Sequence, residues 1–422
     1  MKNINMYKAM KSELDADIYK LVCSTGIFAD SYGIKACIVG GMVRDIFLKR
    51  KTVDIDVVVL GDGLKFARFL ADKLGGAFKG FEKFKTAKIF LKNGRIDISS
   101  ARKETYEKPA ALPDVVLSGR DEDLFRRDFT INSMAVSINR EDFGNLFDPF
   151  GGVSDLKKKI LKTMHDRSFV DDPTRILRAI RFEARLGFKI EKRTLRFIRK
   201  ALKENIFENL SGERIREELF ILFKEQTPAK AMKRLEQFGV LRKINPGLCL
   251  DSKALAMFKT IGSSGRLIRS YHADVPIMYL MALLGTAQPA QALATAVKLK
   301  LSNGQRHAID HGKELQKLQQ KDLGKLGKGS SATYFLLKKY GTEALLYLML
   351  MQKDKKRAAR IKYYLDELKH IKIEITGDDL KEMGIKEGPE YSKILSAVMK
   401  AKLDGRADNR EEQLELVRTL AE

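Results

Sequence analysis

The chain has 422 residues, with 79 Lys and Arg against 55 Asp and Glu, a formal charge of +24, and 44% hydrophobic residues. That length predicts about three modules, and the apolar content rules out a basic disordered tail. An excess of cations this large calls for a polyanionic partner: nucleic acid, nucleotide or an anionic lipid surface. No run of ~18 apolar residues suggests a membrane span. The N-terminal stretch lacks an apolar signal core, and Cys23, Cys37 and Cys249 fit neither a disulfide framework nor a zinc site. A reducing cytoplasm is the expected compartment.

In chain order, the first ~150 residues alternate β-type runs with helix-compatible stretches. Ala36–Val39 runs into Gly40-Gly41, and Ile55–Leu60 follows a short helical segment. Lys88–Leu91 and Arg95–Ser99 flank Asn93-Gly94, which reads as a hairpin. Residues 102–122 hold two prolines, several charges and little periodicity, and so predict a mobile loop. Beyond Gly151-Gly152, apolar spacing of three and four dominates, as in Ile176, Leu177, Ile180 and Ala184 and again over Tyr334–Gln352. The expectation is an α/β head with a mixed sheet, followed by an elongated all-α remainder, with a softer break at 324–331. No repeat of fixed period is evident.

The most informative stretch is Ile38–Leu60, IVGGMVRDIFLKRKTVDIDVVVL. Gly40 and Gly41 allow close backbone approach to an anion at a helix start. Asp54 and Asp56 sit two apart in β-type sequence, so both carboxylates share a face. Like charges that close favour a divalent cation between them, and Mg²⁺ takes hard oxygen ligands plus substrate phosphates. The pattern fits phosphoryl or nucleotidyl transfer at a two-metal site, with Asp97 a third carboxylate able to act as base or ligand. An edge strand blunted by solvent-facing charges is the alternative for an isolated D-x-D.

With GGMVRD and DID stand further blocks: SSARKETYEKP at 99–109, RRDFTINSMA at 126–135, DPFGGVSDL at 148–156, DDPTRILRAIRFEARLGF at 171–188 and SGERIREEL at 211–219. Together they resemble the class II tRNA nucleotidyltransferase and bacterial poly(A) polymerase family of the DNA polymerase beta superfamily. The likeness runs continuously over about half the chain and returns at 375–395.

That resemblance implies NTP and ribose recognition at Arg126, Arg127 and Asp128, which read alone also suit a surface salt-bridge cluster. Asn132 shares a face with Asp128 if the segment is helical. Asp172-Pro173 reads locally as a helix cap followed by proline at the first helical position, with Arg175 in the first turn. The resemblance instead implies that Asp171, Asp172 and Arg175 read the incoming base; Asp171 stands where the family usually has Glu. A carboxylate accepts from an exocyclic amine and a guanidinium donates to the neighbouring ring nitrogen, which suits cytosine and adenine.

Arg175, Arg178, Arg181 and Arg185 form a helical stripe that is either a solvated face or, beside a triphosphate, a phosphate contact, with Arg178 the foremost choice. Farther on, Lys313, Lys317, Lys321, Lys325 and Lys328, and then Lys355, Lys356 and Arg357, form basic ridges. These suit either solvent or a duplex phosphate backbone recognised by shape, as in an acceptor stem. The His307/His311 pair reads as incidental, and no His-Asp phosphohydrolase motif is present.

The expected division is a catalytic head over 1–150, a base-recognising neck over 151–220, a helical body over 221–310 and a tRNA-binding tail over 311–422. The expected activity is template-independent addition of CCA, or only its terminal A, to tRNA from CTP and ATP with release of pyrophosphate. Poly(A) synthesis from ATP alone is the runner-up. A small-molecule nucleotidyltransferase shares the carboxylates without needing the basic helical remainder. A non-catalytic RNA binder explains the charge but not the D-x-D.

Overall fold

The computed structural model describes residues 4–52, 54–92, 94–318, 326 and 329–421. Two compact units divide the chain, residues 1–219 and 220–422.

The first unit opens with α1 (Tyr7–Glu13) and α2 (Ala16–Tyr32), then β1 (Lys35–Val39), α3 (Gly41–Phe47), β2 (Ile55–Leu60) and α4 (Gly63–Leu74). Next come β3 (Ala77–Phe81), β4 (Thr86–Leu91) and β5 (Gly94–Ser100). After β6 (Arg102–Thr105), β7 (Asp114–Leu117) and α5 (Arg120–Phe125) follow β8 (Ala135–Ser137), β9 (Leu146–Phe147) and α6 (Gly152–Lys158). The unit continues through β10 (Ile160–Leu161), α7 (Ser168–Asp171), α8 (Thr174–Leu186), β11 (Lys189–Ile190) and α9 (Lys192–Lys203) to α10 (Gly212–Phe223), within which the division falls.

Seven strands form one sheet in the order β3-β4-β5-β2-β1-β8-β9. Only β2 and β5 pair in parallel, with Asp56 opposite Asp97; the other pairings are antiparallel. Alternation along the central strands divides the side chains between two faces. Cys37, Val39 and Val58 join Ala101, Leu124 and Ala135 in a cluster closed by Phe147 and Phe150. Ile38, Val57, Val59, Ile96 and Ile98, on the opposite alternation, are fully buried as well. α2 packs against β1, and α4 against β3–β5. At Gly26, an added Cβ would lie 1.9 Å from the Ile138 carbonyl oxygen, so only glycine permits that approach. α4 starts on Asp62, whose carboxylate accepts from Leu64 and Lys65 N–H, and stops at left-handed Gly75.

Two expectations need correction. The segment 102–122 is not simply a loop: β6 and β7 form an antiparallel ribbon, and α5 begins at Arg120. Four-residue strands carrying charge show little period-two signal, and the ribbon is anchored by inward-turned Arg102 and Glu104, which pair with each other. The chain beyond 151 is also not wholly helical, because β10 and β11 pair in parallel. Two-residue strands leave no periodicity to read.

The second unit is helical. Val275–Leu283, apolar on every side, is buried from Pro276 to Leu283. It packs on Ser252–Ser263, where Phe258 and Tyr279 stack with ring centroids 4.5 Å apart beside Phe223. Asn303–Gln316 packs on Thr342–Met351. A separate cluster of Ile375, Leu380, Ile394, Val398 and Val417 organises the C-terminal helices. The stretch 334–352 is two helices parted at Gly341. Half of the anticipated break at 324–331, residues 324, 325, 327 and 328, lies outside the described residues. Among the described residues, no helix is long and apolar enough to cross a membrane.

Candidate functional site

A cleft of about 630 Å³ in the first unit collects most of the anticipated residues. Its walls include Gly40, Gly41, Arg44, Asp54, Asp56, Arg126, Arg127, Asp128, Asn132, Asp172, Arg175, Arg178 and Arg181. They come from the β1–α3 turn, the start of β2, the segment after α5, and α8 with the turn before it.

Gly40 takes φ +68° as α3 begins, and a Cβ there would meet Arg127 Nη1 at 3.0 Å. Three residues into that helix Arg44 is buried, holding Asp45 through Nε and Nη2 at 2.9 Å each and donating from Nη1 to Asn132 Oδ1 at 2.6 Å. Asn132, in a short 3-10 turn (Thr130–Asn132), donates to Asp128 Oδ1 at 2.9 Å. Asp128 Oδ2 accepts from Arg178 Nε and Nη2 at 2.9 and 2.6 Å. Burial raises the Asp128 pKa, but the Arg178 charge and the hydrogen bonds from Asn132 and Arg178 outweigh it and hold the group at about 2. The chain Arg44–Asn132–Asp128–Arg178 therefore fixes one wall in a charged state.

Asp54 and Asp56 both open to the cleft but differ in setting. The Asp54 carboxylate is 73% exposed and lies 3.4 Å from Arg95 Nη2. Asp56 is more enclosed. Its pKa is raised by burial first and next by the neighbouring Asp97 charge, with Arg127 partly opposing and Asp54 adding to the rise. Asp97 sits beside Asp56 in strand register, yet its carboxylate is 2.8 Å from Arg95 Nε and 3.9 Å from Lys88 Nζ, and it does not line the cleft. Its Oδ1 is buried without a hydrogen bond of good geometry. Among the described residues, no group of three or more His, Cys, Asp or Glu side chains is arranged to hold a metal. Two carboxylates whose charges crowd one another nevertheless suit a divalent ion that draws its remaining ligands from phosphate and water.

Arg126 and Arg127 are anchored from behind by Asp123. Arg126 reaches Asp123 Oδ1 at 2.6 Å and Glu104 Oε1 at 2.9 Å; Arg127 reaches Asp123 Oδ2 at 2.9 Å. Burial raises the Asp123 pKa, and the Arg127 and Arg126 charges more than reverse this. Arg127 Nε is buried with no hydrogen-bond partner among the described residues.

The turn before α8 departs from the cap expected of it. Pro173 is the cap residue and α8 begins at Thr174; Asp172, one residue earlier, still accepts from Thr174 N–H at 3.0 Å and Thr174 Oγ1 at 2.6 Å. Proline in the cap position has no side-chain acceptor, so the preceding carboxylate does the work. Arg175 is buried, donating to Ser168 Oγ at 2.6 Å and the Arg126 carbonyl at 2.7 Å. Asp171 parts from its neighbour: it lines a separate cavity of about 340 Å³ beside Phe125 and His165, whose rings stack at 5.3 Å. On α8, Arg178, Arg181 and Arg185 all border the cleft, and Glu218 lies 3.5 and 3.8 Å from Arg178 and Arg181.

Sequence reasoning missed Arg102, Glu104, Tyr106, Phe182 and Arg214, which also line the cleft. Each lay inside a quoted block, Arg102, Glu104 and Tyr106 in SSARKETYEKP, Phe182 in DDPTRILRAIRFEARLGF and Arg214 in SGERIREEL, but none was singled out as a site residue.

In the second unit the lysine ridge needs correction. Lys313 is buried, and its Nζ donates to the Gly285 carbonyl at 2.9 Å, because the face of that helix toward Val275–Leu283 includes it. Lys317 is exposed, while Lys321, Lys325 and Lys328 lie outside the described residues. Lys355 and Lys356 are exposed on Lys355–Asp366, and Arg357 is half-buried, 3.6 Å from Asp354. His311 Nδ1 accepts from Gly341 N–H at 3.2 Å.

Comparison with known proteins places this geometry in context. Residues 36–162 match the family described as Poly A polymerase head domain, and 187–251 the probable RNA and SrmB-binding site of polymerase A. An A-adding tRNA nucleotidyltransferase of Geobacter sulfurreducens is 37% identical over 98% of this chain; the chain spans about half of that relative's length, 48%. Another of that name, from Halalkalibacterium halodurans, is 31% identical over 98% of this chain and 95% of its own. A solved apo CCA-adding enzyme aligns over 99% of both chains at 35% identity, with a TM-score of 0.81.

Proposed function

The chain belongs to the tRNA nucleotidyltransferase and poly(A) polymerase family, and on that premise we propose that it extends the 3′ end of tRNA from a nucleoside triphosphate with release of pyrophosphate. The observation that carries this reading is one cleft lined together by Asp54 and Asp56, by Arg44, Arg126, Arg127 and Arg178, and by Asp172 and Arg175. The relatives matched along 98% of the chain carry A-adding names, which favours ATP as donor and a tRNA ending in CC as acceptor, with CTP the substrate of a fuller CCA-adding activity.

Asp54 and Asp56 would hold Mg²⁺, which supplies polarisation of the α-phosphate and a more acidic RNA 3′-hydroxyl. Arg127, with a buried donor to spare, and Arg126 orient the triphosphate from a guanidinium pair pinned by Asp123. Arg178, with Asp128 and Asn132 behind it, offers charge and ribose-bonding groups; Arg44, Gly40 and Gly41 shape the floor. Arg181 adds to the positive field of that wall. The 3′-hydroxyl oxygen attacks the α-phosphorus and gives up its proton to solvent water, the bond from phosphorus to the bridging oxygen breaks, and its electron pair leaves with pyrophosphate. Asp172 accepts from the exocyclic amine while Arg175 donates to the ring nitrogen, which admits adenine and cytosine and turns away uracil and guanine. Asp97 raises the charge density at Asp56, and Asp171 serves the neighbouring cavity.

We assign 1–150 to catalysis, 151–220 to base recognition, and 221–310 and 311–422 to a helical body and tail, where Lys317, Lys355, Lys356 and Arg357 meet tRNA phosphates. Three free cysteines suit a cytoplasmic site of action. Transfer RNAs ending before CCA, after C and after CC, each offered single labelled NTPs, test the activity. AMP addition to the CC-ended tRNA is expected. Long tails on any RNA would mean poly(A) synthesis, and no incorporation anywhere would overturn the proposal.

A further inference from the structure

All three hydrogen bonds made to the Asp172 carboxylate end on the same oxygen. Thr174 N–H, Thr174 Oγ1 and Arg214 Nη2 reach Oδ1 at 3.0, 2.6 and 2.7 Å, whereas Oδ2 accepts none among the described residues. A carboxylate with one oxygen saturated and the other vacant cannot rotate without losing three bonds, so the vacant acceptor is held in one place.

Arg214 does a second job: its Nη1 donates to the Ala110 carbonyl at 3.2 Å. Ala110 lies in the connection between β6 and β7, is buried, and adopts φ +63°, a left-handed conformation that costs a non-glycine residue energy and persists only when neighbours fix it. The other fixing bond is its own N–H to the Val170 carbonyl at 3.2 Å, two residues before Asp172. One guanidinium thus ties the β6–β7 connection, the turn before α8 and α10 at a single point.

We propose that Arg214 is a specificity-determining positioning residue: together with Thr174 it pins Asp172 through Oδ1, leaving Oδ2 as the oxygen that reads the exocyclic amine of the incoming base, and it couples that oxygen to the β6–β7 connection. The inference rests on the base-reading role given to Asp172 above. As a positioning residue Arg214 acts through Asp172, so its loss changes base choice more than turnover.

The test measures kcat/KM for ATP and for each of the other three NTPs on CC-ended tRNA, with melting temperature alongside. In Arg214→Ala, the preference for ATP over UTP and GTP should fall by about tenfold or more, chiefly through KM. Arg214→Lys, which can reach Asp172 but not Ala110 as well, should recover part of that preference. Thr174→Val, which removes one of the three donors, should move selectivity in the same direction if Arg214→Ala does not fold. Folded Arg214→Ala or Thr174→Val protein with wild-type selectivity would overturn the inference. Asp172→Ala separates the two layers: relaxed choice there with unchanged choice in Arg214→Ala defeats only the positioning role, whereas unchanged choice in Asp172→Ala defeats the base-reading assignment beneath it.

Discussion

The setting of Asp56, one of the two carboxylates proposed to hold Mg²⁺, makes a signed prediction. Its folded pKa is raised, by burial and then by Asp97, so the folded apo-protein binds a proton there more tightly than the unfolded chain. The ionised carboxylate is therefore a cost to stability at neutral pH, and that cost fades as pH falls toward the folded pKa. Asp56→Asn should melt higher than wild type in the presence of chelator at pH 7, while Mg²⁺ with ATP should raise the melting temperature of wild type alone. Asp128 behaves oppositely. Its folded pKa is lowered to about 2, so its stabilisation is fully present above the ordinary carboxylate range and is lost as pH falls from that range to about 2. Arg178→Ala leaves Asp128 buried without its strongest counter-charge, and urea unfolding should show a loss of about 3 kcal/mol. Asp54 and Asp56 were legible in the sequence because two apart on a strand is a local pattern. Glu104 and Arg214 were not, since their partners Arg126 and Asp172 are brought to them by folding from 22 and 42 residues away; Asp123 lies only three residues before Arg126, a spacing that an exposed helical ion pair shows equally well.

At the level of elements, the β1–α3 turn and the β6–β7 ribbon both contribute residues to the cleft. Gly40 combines a left-handed φ with a Cβ position 3.0 Å from Arg127 Nη1. Gly40→Ala should therefore lose more in kcat/KM for ATP than its stability loss of about 1 kcal/mol can account for, as steady-state kinetics and melting together would show. Of the strands between 35 and 100, β1, β2, β4 and β5 stand out as apolar β-type runs, whereas β3, AFKGF with lysine and glycine inside it, was not foreseen. Nor was the ribbon: its strands are four residues long, and what orders it is the pairing of Arg102 with Glu104 and of Glu104 with Arg126. Lys313 shows the same limit for helices, since a spacing of four places lysines on one face without telling whether that face meets solvent or protein.

Across the whole molecule, a formal charge of +24 predicts tRNA affinity that falls steeply with salt. Replacing both Lys355 and Lys356 with alanine should weaken binding to all tRNA ends alike and lessen the slope of log affinity against log salt by about 1–2, with base selectivity unchanged. Filter binding across a salt series measures both quantities. An unaltered slope would remove these lysines from the phosphate interface. The composition foretold a polyanionic partner, and the ordered motifs foretold the family; neither could say which basic side chains stay exposed after packing.

The proposed transfer depends most directly on the carboxylates of Asp54 and Asp56. Electron paramagnetic resonance of Mn²⁺ titrated into the protein with a nonhydrolysable ATP analogue counts the ions they hold. Tight binding in wild type that is lost in both Asp54→Ala and Asp56→Ala, with tRNA affinity preserved, is the predicted result. Undiminished ion binding in either folded variant would contradict it.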